Sequence, residues 1–116
     1  MKPRARIWIE DRGKPLFGDG KIALLETIEW FGSMNRAAQE FGMSYLHAQK
    51  KIKTLEKRLG VKLVETTVGG KHGGGSKLTG KGRRLIKNYK KFRDEVDAVM
   101  QKMWDLLLQR RASPSL

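Results

Sequence analysis

Seven apolar residues, Leu85, Tyr89, Phe92, Val96, Val99, Met103 and Leu106, follow one another at spacings of 4-3-4-3-4-3. Residues three and four apart meet on one side only in an α-helix, so this spacing predicts a long helix with a heptad seam. Thr79 stands at the position of an N-cap, and the pattern runs to about Gln109. Roughly 30 residues at about 1.5 Å each make a rod of about 45 Å. A chain of 116 residues is the size of one domain and cannot cover the whole of such a rod. The seam therefore predicts a partner, read as a second copy of the chain, with Ile86, Met100 and Leu107 widening one side. Folding of the first half back onto Ile7, Trp8 and Ile9 is the competing reading.

Three shorter helices precede the rod. Asp19 can cap one from about Gly20 to Phe31, with Ile22, Leu25, Ile28 and Trp30 or Phe31 facing a core, and Gly32 ends it. Ser33 can cap a short one containing Ala37, Ala38 and Phe41, closed by Gly42. Ser44 can cap a third, Tyr45 to Leu59, closed by Gly60, whose Ala48, Ile52, Leu55 and Leu59 make a single stripe. The short middle helix, the link Gly42-Met43-Ser44 and the longer helix form a helix-turn-helix pattern, although an ordinary three-helix core uses the same punctuation.

Short strands complete the pattern. "VKLVETT" (61–67) alternates with Val61, Leu63 and, at its end, Glu65 on one face, and "SKLT" follows the glycine tract "GGKHGGG". Together they predict a hairpin wing with the glycines at its tip. Upstream, "ARIWIE" (5–10) predicts a strand that pairs with the short "LFG" beyond the turn cluster "DRGKP". The expected fold is mainly α with small β: a winged helix-turn-helix core (19–78), an N-terminal strand or hairpin (1–18), a long dimerisation helix (79–110) and a frayed tail (111–116).

Charge narrows the partner. The chain holds 25 Lys+Arg against 12 Asp+Glu, a net +13, and the window from Ser44 to Arg93 has 15 bases but only the acids Glu56 and Glu65. Elsewhere bases and acids cancel, so the whole excess lies in this window, with the glycine tract inside it. Such an excess points to nucleic acid before a membrane surface; a solvated lysine-rich face is the plain alternative. The absence of cysteine excludes disulfides, thiolate zinc sites and cysteine catalysis, and fits a cytoplasmic protein. The apolar run Ile7-Trp8-Ile9 is too short for a signal peptide, and none approaches the ~20 residues that span a bilayer, so no membrane role is expected.

Catalysis finds little support. "GSKLTGKG" (75–82) nears a phosphate-binding loop but has Gly82 where magnesium binding needs Ser or Thr. Two histidines, His47 and His72, cannot make a zinc site alone, and Asp94, Glu95 and Asp97 fit a solvated helix face. No enzyme activity, metal or cofactor is expected.

Nucleic-acid chemistry is better supplied. Opposite the Ala48–Leu59 stripe the third helix carries Leu46, Lys50, Lys53 and Lys57, flanked by His47 and Gln49. A helix entering a major groove reads with its first turns, which places Ser44, Tyr45, His47, Gln49 and Lys50 at base edges and Lys53 and Lys57 at phosphates. Glycines at the wing tip let backbone N–H groups, Lys71 and His72 approach phosphates closely, with Lys77 on the strand beside them.

The stretches "GSMNRAAQEFGMSYLHAQKKI" (32–52) and "GGKHGGGSKLTGKGRRLIKNY" (69–89) resemble the amino-terminal domain of ModE-type molybdate-dependent transcription regulators, whose winged helix is related to that of LysR-type regulators. The resemblance extends from about Arg4 to Leu108 and is most specific at "MSY" (43–45), at the glycine tract and at "LTGKGRRLI" with Tyr89. It implies a homodimeric domain for double-stranded DNA, joined through the strand and the long helix, that represses or activates molybdenum-related operons. Two departures qualify it. Gln49 stands where the family often has tryptophan, and the sequence ends at Leu116 where family members continue into molybdate-binding domains. No oxyanion-binding residue is therefore carried over, and no tight molybdate binding is expected of this chain alone. A basic RNA-binding or nucleoid-architectural protein, with the same charge but no sequence preference, is the alternative.

Overall fold

The computed structural model describes residues 1–67 and 75–110. Its elements run β1 (Trp8–Asp11), β2 (Lys14–Gly18), α1 (Asp19–Phe31), α2 (Met34–Glu40), α3 (Tyr45–Leu59), β3 (Val64–Thr67), β4 (Gly75–Leu78) and α4 (Gly80–Arg110). Local chemistry sets most helix ends. Ser33 Oγ accepts the N–H of Arg36 and Ser44 Oγ that of His47, each at 3.1 Å, and Thr79 Oγ1 accepts that of Gly82 at 3.0 Å. Each bond satisfies one of the orphan donors of a first turn, a contribution of about 1 kcal/mol. Gly32 and Gly60 close α1 and α3 in the left-handed region, at φ of 64° and 70°.

Asp19 departs from expectation. Gly18 occupies the cap position of α1 and no side chain caps that helix. Asp19 is the first helical residue, and its carboxylate turns toward α4, where it accepts the Tyr89 hydroxyl and lies 3.7 Å from Arg93 Nε.

The core gathers Leu24, Leu25 and Ile28 of α1, Met34, Ala37 and Ala38 of α2, and Ala48, Ile52 and Leu55 of α3, closed by Leu16, Leu63, Val64 and Leu78. Of the alternatives Trp30 and Phe31, Trp30 lies outside it, as does Phe41 beyond α2. Trp30 is 83% exposed, since it falls beyond the edge of the α1 stripe, and Phe41 is 39% exposed at the C-cap of α2. Phe31 is half-buried and its ring lies under the Arg36 guanidinium, 4.7 Å from centroid to Cζ.

Both sheets are antiparallel hairpins, β1 with β2 and β3 with β4, the latter pairing Val64 with Leu78 through Thr67 with Gly75. The expected strand 61–67 is shorter than its alternation implied. Pairing starts at Val64: Leu63 C=O still accepts the N–H of Thr79 at 2.9 Å in the hairpin register, but Leu63 N–H is taken by Glu56 at 2.7 Å, and Leu63 and Val64 are buried in succession. Ahead of β1 the chain lies along α4: Ile7 C=O accepts the Tyr89 hydroxyl at 3.2 Å, and Ala5 C=O accepts from Arg93.

That contact divides α4. Leu85 packs against the core and Tyr89 is 6% exposed, its ring edge-on to Phe17 with centroids 5.8 Å apart. The first half of the seam is thus covered by its own chain. Farther along, Phe92, Val99, Met103 and Leu106 are 44%, 57%, 58% and 45% exposed.

Gly82 sits under the Leu63 carbonyl, where an added Cβ would lie 2.4 Å from the oxygen. The near-match to a phosphate loop is therefore strand β4 followed by the first turn of α4, and packing, not nucleotide chemistry, demands the glycine. Gly82→Ala is expected to lower stability by about 1–3 kcal/mol, the usual cost of overpacking. Gly80→Ala, with nothing within 4 Å, is the control. Urea unfolding of both variants measures the difference; equal midpoints would remove the packing argument.

Burial, followed by the hydrogen bond to Asp19 and its charge, pushes the Tyr89 hydroxyl up to about 12. An unfolded chain ionises tyrosine near 10, so this stabilisation is complete below about pH 10 and is lost as pH rises toward 12. The urea midpoint should fall across that window more steeply in the parent than in Tyr89→Phe. Parallel profiles would contradict the assignment.

Candidate nucleic-acid interface

The turn between α2 and α3 sets the surface of α3. Met43 N–H returns to Ala38 C=O at 3.0 Å, and Ser44 then starts α3 with its side chain on His47 N–H. With Ala48, Ile52 and Leu55 buried, the opposite face must look outward. Leu46 is 71% exposed, and Lys50, Lys53 and Lys57 are exposed with it; together with Gln49 and Thr54 they line a shallow groove. Ser44, Tyr45 and His47 are exposed at the N-terminal end of the same surface. Gln49 is half-buried, on the side of α3 that carries Glu56.

Glu56 anchors the wing. Its Oε2 accepts the N–H of Leu63 at 2.7 Å and of Val64 at 3.1 Å. Glu29 of α1 holds the other strand, with Oε2 accepting Leu78 N–H at 3.0 Å while Oε1 pairs with Arg83 at 3.0 Å. Glu65 faces Lys77 across the hairpin as its register partner. Of the two acids of the basic window, Glu56 of α3 is thus engaged by the wing backbone and Glu65 lies on the wing itself. Among the described residues, none of Lys50, Lys53 and Lys57 has an ion-pair partner. Arg58 is different: its guanidinium donates to Pro15 C=O, to Asp11 C=O at 3.2 Å and to Lys14 C=O at 3.3 Å, which fastens the β1–β2 hairpin to α3.

The sequence-predicted residues of α3 thus share one surface, and Lys77 lies exposed on the adjoining wing. Lys71 and His72 lie outside the described residues. Sequence reasoning missed Lys21, which α1 brings beside Lys51 and Lys50 at a second groove along α3. No local pattern signals it, because the contact depends on how α1 packs against α3. An exposed helix face with free ammonium groups, an amide and an imidazole at its leading end suits phosphate attraction combined with hydrogen bonding to base edges. Among the described residues, no helix is long and apolar enough to cross a membrane.

Known proteins share this architecture and much of this sequence. The crystal structure of the CbnR_DBD–DNA complex superimposes with a TM-score of 0.56 at 19% identity, over 76% of this chain and 95% of that one, which establishes the winged helix-turn-helix fold. The "Molybdenum transport protein ModE" of Azotobacter vinelandii is 34% identical over 103 residues, 89% of this chain and 38% of its own length. The "DNA-binding transcriptional dual regulator ModE" of Escherichia coli (strain K12) is 38% identical over 100 residues, 85% of this chain and 37% of its own length. The chain thus spans well under half the length of these relatives. Residues 21–83, more than half of the chain, match the family described as "Bacterial regulatory helix-turn-helix protein, lysR family". From its fold, its sequence and the outward face of α3, the chain belongs to the lysR family of bacterial regulatory helix-turn-helix proteins.

Proposed function

We propose that this chain is a sequence-specific binder of double-stranded DNA that regulates transcription of molybdenum-related genes as a homodimer in the cytoplasm. The observation that carries the reading is the face of α3. Lys50, Lys53 and Lys57 stand exposed and without ion-pair partners beside an anchored wing, in the geometry a major groove of about 12 Å accepts. The molybdenum link rests on the two relatives named above. In this reading Ser44, Tyr45, His47, Gln49 and Lys50 meet base edges, while Lys53, Lys57, Lys71, His72 and Lys77 meet phosphates. No catalytic role is assigned, and the regions 1–18, 19–78 and 79–110 act as hairpin, DNA-binding core and dimerisation helix.

The homodimer draws support from the outer half of the seam. Phe92, Val99, Met103 and Leu106 are too exposed for a stable monomer surface to favour, whereas Leu85 and Tyr89 are covered by the chain itself. Sedimentation at micromolar concentration should give about twice the 13.2 kDa chain mass. Val99→Asp should return the monomer, since a carboxylate buried in a seam without a partner is costly. A monomeric parent would refute the dimer.

Selection of an operator from a random duplex library, followed by titration of operator and random duplex at one salt concentration, tests the reading of sequence. Lys50→Ala or Gln49→Ala should cost about 1–3 kcal/mol on the operator and much less on random duplex. Lys71→Ala should weaken both alike. Equal affinity of the parent for both duplexes would favour the nucleoid-architectural alternative instead.

A further inference from the structure

Around α3, at about 100° per residue, two flanks border the exposed Leu46–Lys57 face. Tyr45, Gln49 and Glu56 lie on the flank that meets the wing. His47, Lys51, Thr54 and Arg58 lie on the other, which meets the first turn of α1 and the β1–β2 hairpin. There a groove is lined by Lys21, Leu46, His47, Lys50, Lys51 and Thr54, with no carboxylate among them. Lys21 is fixed in place, since its Nζ donates to Leu16 C=O at 2.9 Å, which leaves further N–H donors on the ammonium. Partial burial, then the charges of Lys51 and Arg58, hold that ammonium below the usual lysine range. Arg58 is already engaged by the three hairpin carbonyls, so Lys21 and Lys51 are the cations of this flank left for a ligand.

We propose that Lys21 and Lys51 form a second phosphate clamp, which holds the DNA backbone on the side of α3 away from the wing. The proposal rests on the DNA-binding reading above and names contacts that reading does not contain. A major groove is walled by a sugar-phosphate backbone on each side, and a helix filling a width of about 12 Å approaches both. The wing lies toward one wall. Without a counterpart, the other wall would face like charges held together with no acid between them. A backbone phosphate relieves that repulsion and lies within reach of the α3 reading face, with whose groove this one shares Leu46, Lys50 and Thr54.

Because phosphate contacts carry no sequence information, the two lysines should govern salt dependence and leave base discrimination unchanged. The test is a salt series with the full chain on a mixed-sequence duplex and on the selected operator, for Lys21→Met, Lys51→Ala and the control Lys91→Ala on α4. Each clamp variant should lower the slope of log affinity against log salt by about 0.9 per chain bound, equally on both duplexes, and the control should not. Thermal melts establish that each variant folds; Lys51, whose side chain makes no hydrogen bond among the described residues, reads the clamp even if Lys21→Met does not fold. Parental slopes in a folded Lys51→Ala would overturn the proposal while leaving the α3 reading intact. Loss of discrimination by Lys51→Ala would overturn it differently, by making that residue a base reader. A parent chain that binds no duplex would overturn both readings.

Discussion

The N–H groups of Leu63 and Val64 both point at one carboxylate, Glu56, and the N–H of Leu78 points at another, Glu29. A backbone hydrogen bond to a charged group contributes about 1.5–3 kcal/mol, more than a neutral one. These bonds tie each wing strand to a different helix, Glu56 from α3 and Glu29 from α1. They also decide the electrostatics of the molecule. A carboxylate that serves backbone donors is turned inward, away from the lysines of α3, so the positive charge of that face stays unneutralised. Wing position and surface charge thus share one cause.

Helix boundaries were legible in the sequence wherever a single residue decides them. Ser33, Ser44 and Thr79 cap, and Gly32 and Gly60 stop, through chemistry confined to one turn. Asp19 was misread because an acid at the head of a helix suits both the cap and the first turn. The choice was made by Tyr89 and Arg93, some seventy residues along the chain, which draw its carboxylate toward α4. The apolar pattern of α1 leaves Trp30 and Phe31 as alternatives, because it gives the direction of a stripe but not its width. The alternation over 61–67 implies a longer strand, whereas the capture of Leu63 N–H by Glu56 of α3 is a tertiary event. Of the site, the outward face of α3 followed from its buried stripe, and the Lys21 flank did not.

The heptad spacing of α4 runs unbroken through a change of partner. From Leu85 to Tyr89 it packs on Phe17, the core and the N-terminal segment; beyond Phe92 nothing among the described residues buries Val99, Met103 or Leu106. Packing against one's own domain and packing against another helix make the same demand of a sequence, apolar residues three and four apart. Spacing alone could therefore predict the helix but not where its own coverage ends. The Tyr89 hydroxyl joins α4 to the heads of both α1 and β1 through Asp19 and Ile7, and Arg93, one turn on, is held by Ala5 C=O and Asp19.

Glu56 and Arg58 are two residues apart and so leave α3 on nearly opposite sides. One grips the wing and the other the carbonyls of the β1–β2 hairpin, with Ala48, Ile52 and Leu55 buried between them. A helix held from both flanks and from below has no freedom to roll about its axis. Charge attraction does not require this, since a phosphate accepts an ammonium from many directions. Hydrogen bonding to a base edge does require it, because a small roll carries Gln49 or Lys50 out of reach. Binding is stronger when such positions are set before the ligand arrives, since less ordering remains to oppose association. The cations that α3 carries are thus divided by the fold. Arg58 is withdrawn to fix the helix, and the lysines beside it are what the fixed helix presents.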